Sequence, residues 1–83
     1  MKLKALLKYI GRTQRVCVLT MKPIKGSEAQ LVDDFQRDLC CRIWDEYAKT
    51  RSNPEVLEIR CQGSEIIIHV LDHKFSLTES EKS

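Results

Sequence analysis

With 83 residues, 42% hydrophobic and 31% charged, the chain has the make-up of one small folded domain and lies outside the low-hydrophobicity regime of disorder. A domain of this size buries only about 60% of its unfolded surface, which excludes a second core and leaves room for help from self-association. The net charge of +2 hides a segregation: the first 27 residues carry Lys2, Lys4, Lys8, Arg12, Arg15, Lys22 and Lys25 with no acid, a formal +7, and the remainder carries −5. Such a dipolar distribution draws an anionic partner to one end.

Leu3, Leu6, Leu7 and Ile10 recur at the i, i+3, i+4, i+7 spacing of an apolar helical stripe, so residues 2 to 10 read as a short helix that Gly11 ends. Two or three turns are marginal alone, and the Leu stripe must dock on the rest of the domain. Arg15 to Met21 reads as a strand, with Val16 and Val18 on one face and Cys17 and Leu19 on the other, apolar enough on both to be covered twice. Lys22-Pro23-Ile24-Lys25-Gly26 is a turn.

Ser27-Glu28-Ala29-Gln30 has the form of a capping box. Val32, Phe35, Leu39, Ile43 and Tyr47 follow at spacings of three and four, broadened by Leu31, Cys40 and Trp44. The spacing predicts one amphipathic helix over about residues 28 to 50, roughly 33 Å long, part of which overhangs the sheet and seeks a partner. Thr50 to Pro54 is a loop. Val56 to Cys61 and Glu65 to Leu71 are β-branched runs around Gly63-Ser64, the pattern of a hairpin with a two-residue type II′ turn. That turn sets Cys61 opposite Ile66, Ile59 opposite Ile68 and Leu57 opposite Val70 on an apolar face. Arg60 with Ile67, Glu58 with His69 and Val56 with Leu71 then make a mixed face that an N-terminal helix or a second subunit should cover. Ser76 to Ser83 is polar and is expected to be a disordered tail after a domain spanning residues 1 to 75. The expected fold class is α+β in the order α-β-α-β-β, a small three-stranded sheet packed on the long helix.

Catalytic signatures are weak. Cys17, Cys40, Cys41 and Cys61 contain no C-x-x-C pair, and adjacent Cys40 and Cys41 point about 100° apart on a helix, which suits neither a metal site nor a bridge. A thiol nucleophile with His69 or His73 and Asp72 would need an elbow of small residues that no cysteine here has; free cysteine in a strand pattern is a small hydrophobe. His69 opposite Glu58 reads as a cross-strand polar pair rather than a ligand. Asp33-Asp34 and Asp45-Glu46 fall on the solvent side of the predicted helix. Gly11, Gly26 and Gly63 stand alone, so no phosphate loop is present. No metal, cofactor or catalytic residue is expected. The apolar stretch Ala5-Leu6-Leu7 is cut by Lys8, short of a signal peptide, and no run approaches a membrane span, so free thiols in a cytoplasmic setting are the expectation.

Leu6-Leu7-Lys8-Tyr9-Ile10, Thr13 to Val18, Glu55 to Ile59 and Glu65 to Val70 resemble the opening and closing segments of small phage and prophage proteins of Gram-positive bacteria. The resemblance spans less than half the chain and assigns no residue a role. It implies a viral accessory protein, a class that includes inhibitors of host defence. Some of these mask a defence protein, and others sequester a nucleotide immune signal in an oligomeric pocket.

The expected function is therefore non-catalytic binding of a small anionic ligand, a nucleotide signal above all, by a homo-oligomer. Arg12, Arg15, Lys22 and Lys25 bracket one strand and, with the helix start at Ser27, are the candidate ligand contacts, helped by Arg51. Phe35, Trp44, Tyr47, Ile67 and Leu71 are candidate interface residues, and the alternative is a module that inhibits a host protein by masking its surface. Only Tyr9 among the five aromatics lies in the basic segment, too thin a stacking platform for an extended nucleic acid.

Overall fold

A computed structural model describes residues 1–24, 26 and 30–71. The elements run α1 (Leu3–Leu7), β1 (Arg15–Pro23), β2 (Gln30–Leu39), α2 (Cys40–Ala48), β3 (Val56–Gln62) and β4 (Glu65–Leu71). The four strands form one sheet in the order β2-β1-β4-β3. β1 is antiparallel to β2 and parallel to β4, and β3 and β4 form an antiparallel hairpin. The class is α+β, but the expected three-stranded sheet under one long helix is overturned: residues 30 to 39 are a strand, and only Cys40–Ala48 is helical.

The overturned helix has a physical explanation. Leu31, Val32 and Phe35, the first half of the supposed stripe, are 52%, 50% and 60% exposed on the strand and take no part in the buried core. The segment also carries Asp33, Asp34 and Asp38, and aspartate is a poor residue for a helix interior. Pairing with β1 from Arg15↔Leu39 to Pro23↔Gln30 gives its backbone a ladder instead. The second half of the stripe survives. Cys40, Ile43, Trp44 and Tyr47 keep the i, i+3, i+4, i+7 spacing and face the core from α2. Its first amides are satisfied by backbone, Cys40 N–H donating to the Gln14 carbonyl at 2.8 Å and Cys41 N–H to the Arg12 carbonyl at 3.0 Å.

Both helices pack on the same face of the sheet. Leu3 and Leu7 of α1 and Cys40 and Ile43 of α2 close over Val16 and Val18 of β1 and Ile68 and Val70 of β4, with all eight buried. On the opposite face no described helix covers the sheet. Cys17 and Met21 are still buried there, each between in-register neighbours, Arg37 and Ile67 for the first and Val32 and Leu71 for the second.

The hairpin register holds from Gln62↔Glu65 to Glu58↔His69 and is corrected beyond it. Val56, not Leu57, faces Val70, because Leu57 is the extra residue of a bulge. Gly63 has φ +61 and no other residue of the turn has positive φ, which selects type II′ over type I′. The capping box at Ser27 and the polar tail lie outside the described residues, although Gln30 itself opens a strand.

The N-terminal segment is tied to the loop before β3. Leu3 N–H donates to the Pro54 carbonyl at 2.9 Å, Lys4 N–H to Asn53 Oδ1 at 2.9 Å, and Val56 N–H to the Met1 carbonyl at 2.8 Å. Glu55 receives the Met1 ammonium at 2.9 Å and Lys2 Nζ at 3.3 Å. The hydrogen bond from the Met1 ammonium, then that from Lys2, holds the Glu55 carboxyl below its usual range. A depressed folded pKa stabilises the fold above the unfolded value and ceases to do so as pH falls through the folded one. Glu55→Gln should therefore lower the melting temperature slightly at neutral pH and flatten the acid limb of its pH profile. A parallel offset at every pH would contradict this role.

Candidate functional site

A concavity that joins basic side chains to an aromatic ring lies between the helices. Leu7, Lys8, Ile10 and Arg12 line it from α1 and the loop that follows, and Cys40, Cys41, Trp44 and Asp45 line it from α2. Its volume is about 380 Å³. The floor is made where the helices touch: Cys40 is buried, its thiol 3.5 Å from the Leu7 carbonyl and 3.9 Å from that of Ile10. The Lys8 ammonium stands over the Trp44 ring, 5.7 Å from its centroid, within cation–π range. Arg12 contributes a second cation, held by the backbone bond from Cys41 to its carbonyl, and Asp45 contributes the one acid.

This arrangement can hold a small anion bearing a planar ring. Lys8 and Arg12 supply donors for the charged end, Trp44 supplies a face for the ring, and Asp45 can accept from a hydroxyl or amino group. A larger cleft of about 470 Å³ opens between the end of β2 and α2. Its cations Arg37, Arg42 and Lys49 are matched by Asp38, Asp45 and Glu46, and Arg42 already lies 3.9 Å from Asp38, so it offers an anion no net attraction. A third hollow, lined by Asp34, Gln36, Glu46, Tyr47, Thr50 and Ser52, is acidic.

The sequence-derived ligand set is not gathered at one place. Arg12 is on the groove. Arg15 and Lys22 sit near opposite ends of β1, about 23 Å apart at the usual rise per residue, and Lys22 is 3.5 Å from Asp33. Arg51 is exposed in the bend after α2, and Lys25 and Ser27 lie outside the described residues. The interface set divides between the two faces of the sheet. Phe35, Ile67 and Leu71 share the outer face, whereas Trp44 and Tyr47 pack against the core from α2. Tyr47 is half-buried there; burial raises its phenol pKa, and a hydrogen bond with Thr20 opposes the shift. Lys8 and Trp44 are the groove residues that sequence reasoning did not join. Nothing in their separation along the chain signals that they meet.

Asp72 and His73, the partners a thiol nucleophile would recruit besides His69, lie outside the described residues. Burial, and then the adjacent Cys41, raises the Cys40 pKa, which keeps it a neutral thiol and a poor nucleophile. His69 lies against Glu58, Nδ1 to Oε2 at 3.8 Å, on the outer face of the sheet. Among the described residues no three His, Cys, Asp or Glu side chains converge as a metal site would require. No helix is long and apolar enough to cross a membrane among them either. No protein-family model matches the chain, and no curated protein and no solved structure matches it.

Exposure orders the four free cysteines, with Cys61 exposed, Cys41 partly covered, and Cys17 and Cys40 buried. Under native alkylation followed by peptide mapping, Cys61 should be modified first and Cys41 second. Cys17 and Cys40 should lag Cys61 by at least about tenfold, since they require an opening of the core. Early labelling of Cys40 would mean that the floor of the groove is not closed.

Proposed function

We propose that the chain is a non-catalytic binding protein whose helix–helix groove captures a small anionic ligand with a planar ring, of the nucleotide class. The observation that carries this reading is the placement of Lys8 5.7 Å from the centroid of the only tryptophan, Trp44, with Arg12 lining the same concavity. A ring entering the groove exchanges with Lys8 on the face of Trp44. The displaced ammonium is then free to pair with the ligand's phosphate. If the chain is an accessory protein of a phage, such capture would withdraw a nucleotide signal from a host's defence, as the resemblance of its end segments implies.

A second reading is favoured by Phe35, 60% exposed on the outer sheet face beside Leu19. There the chain would mask a host protein's surface through Phe35, Ile67 and Leu71.

Trp44 reports on the groove directly. Titration with mono-, di- and cyclic nucleotides at low salt should quench its fluorescence for at least one of them. Arg12→Glu should weaken that response at least about tenfold, the scale of a lost charge-assisted hydrogen bond. Added salt should weaken it as well. Absence of a response to every nucleotide at low salt would sink the ligand reading. Capture of a host protein that survives high salt and Arg12→Glu, but not Phe35→Ala, would establish the alternative.

A further inference from the structure

Among the described residues β3 is an edge strand with β4 on one side only. Its two-residue turn makes Gln62 and Glu65 a pair that exchanges both backbone hydrogen bonds, so Arg60 and Glu58 also direct their amides and carbonyls to β4. Ile59 and Cys61, the alternate residues, direct theirs outward. The free stretch begins at Leu57, because the N–H of Val56 is already given to the Met1 carbonyl at 2.8 Å. Leu57 and Ile59 are 41% and 46% exposed, and Cys61 is exposed as well. Residues 57 to 61 contain no proline or lysine, their two charges Glu58 and Arg60 are of opposite sign, and the bulge at Leu57 lies at the end of the stretch rather than within it.

The other edge is protected. β2 carries Asp33, Asp34 and Asp38, is bulged at Asp33, and would set Asp34 against Asp38 in an antiparallel pairing about Gln36. The β3 edge behaves oppositely, because its charges are complementary to a second copy of themselves. We propose that two copies of this chain pair antiparallel through β3 about a two-fold axis at Ile59, joining their sheets into one.

In that register Ile59 faces the partner's Ile59, and Leu57 faces the partner's Cys61, which places the exposed apolar row of each edge on that of the other. Glu58 faces the partner's Arg60, and Arg60 faces the partner's Glu58. These are non-hydrogen-bonded positions, where side chains across an antiparallel pair come closest. Within one chain Arg60 Nε already lies 3.0 Å from Glu58 Oε1 on the same strand, so the two-fold builds a ring of four charges of alternating sign. Moving the axis to Cys61 would set Arg60 against Gln62 and moving it to Leu57 would set Glu58 against Val56, each losing the ion pairs. The ladder spans residues 57 to 61 of each copy and stops where Met1 occupies the edge. None of the groove residues takes part, so the pairing stands apart from the ligand reading.

The test is mass in solution by light scattering over a concentration series, with circular dichroism confirming that each variant is folded. The wild-type chain should approach twice the monomer mass as concentration rises. Glu58→Arg should raise the dissociation constant at least about tenfold, and the double variant Glu58→Arg with Arg60→Glu should restore it. Register is read by oxidation in a Cys61→Ser background. Ile59→Cys should cross-link, its Cα about 5.5 Å from its symmetry mate, and Gln62→Cys, about 20 Å from its own, should not. A monomer at every concentration, a dimer indifferent to Glu58→Arg, or equal cross-linking at positions 59 and 62 would overturn the proposal.

Discussion

β1 is paired along both edges, and the rest of the molecule is arranged by that fact. Its backbone takes β2 on one side and β4 on the other, and Val16 and Val18 place it at the bottom of the core. An apolar strand of this length left with an open edge would be an aggregation hazard. Satisfying both edges requires two further strands, the segment that follows β1 in the chain and the distant β4, and the first of these demands draws residues 30 to 39 out of the helix their spacing favours. Once β2 lies beside β1, α2 can start only at Cys40, and it is short enough for α1 to share the same face of the sheet.

What was legible in the amino-acid sequence was what is set locally. The Gly63-Ser64 turn fixes the hairpin register through Glu58↔His69, and the stripe of Cys40, Ile43, Trp44 and Tyr47 sets the core face of α2. The hidden parts are those where the strand ladder is irregular. β2 shows no period-two signal because its bulge at Asp33 breaks the alternation, so that Val32 and Phe35 reach one face at a spacing of three and imitate a helical repeat. Leu57 is misplaced by one residue for the same reason.

The basic third of the chain does not act as a unit. Lys2 pairs with Glu55, Lys22 lies near Asp33, and Lys4 Nζ donates to the Thr50 carbonyl at 2.7 Å. Each of these cations fastens the chain to an acceptor on another segment. Lys8 and Arg12 differ because they share a concavity in which Lys8 stands over the Trp44 ring, with Asp45 as the one acid there. Charge counted along the chain overstated the area available to an anion. Where α1 meets α2 decides which cations can serve one.

The parallel contact between β1 and β4 also constrains how the molecule is made. Val16 meets Ile66 and Val18 meets Ile68, about fifty residues further on. Until β4 arrives, β1 and β2 can pair and α2 can form, but the face they share lacks Ile68 and Val70. A chain emerging from the ribosome therefore holds an apolar surface open until its last described strand is free to insert between β1 and the side that β3 will occupy. Such a late, non-local closure slows folding and makes the nascent chain a client for chaperones, whatever the stability of the finished domain.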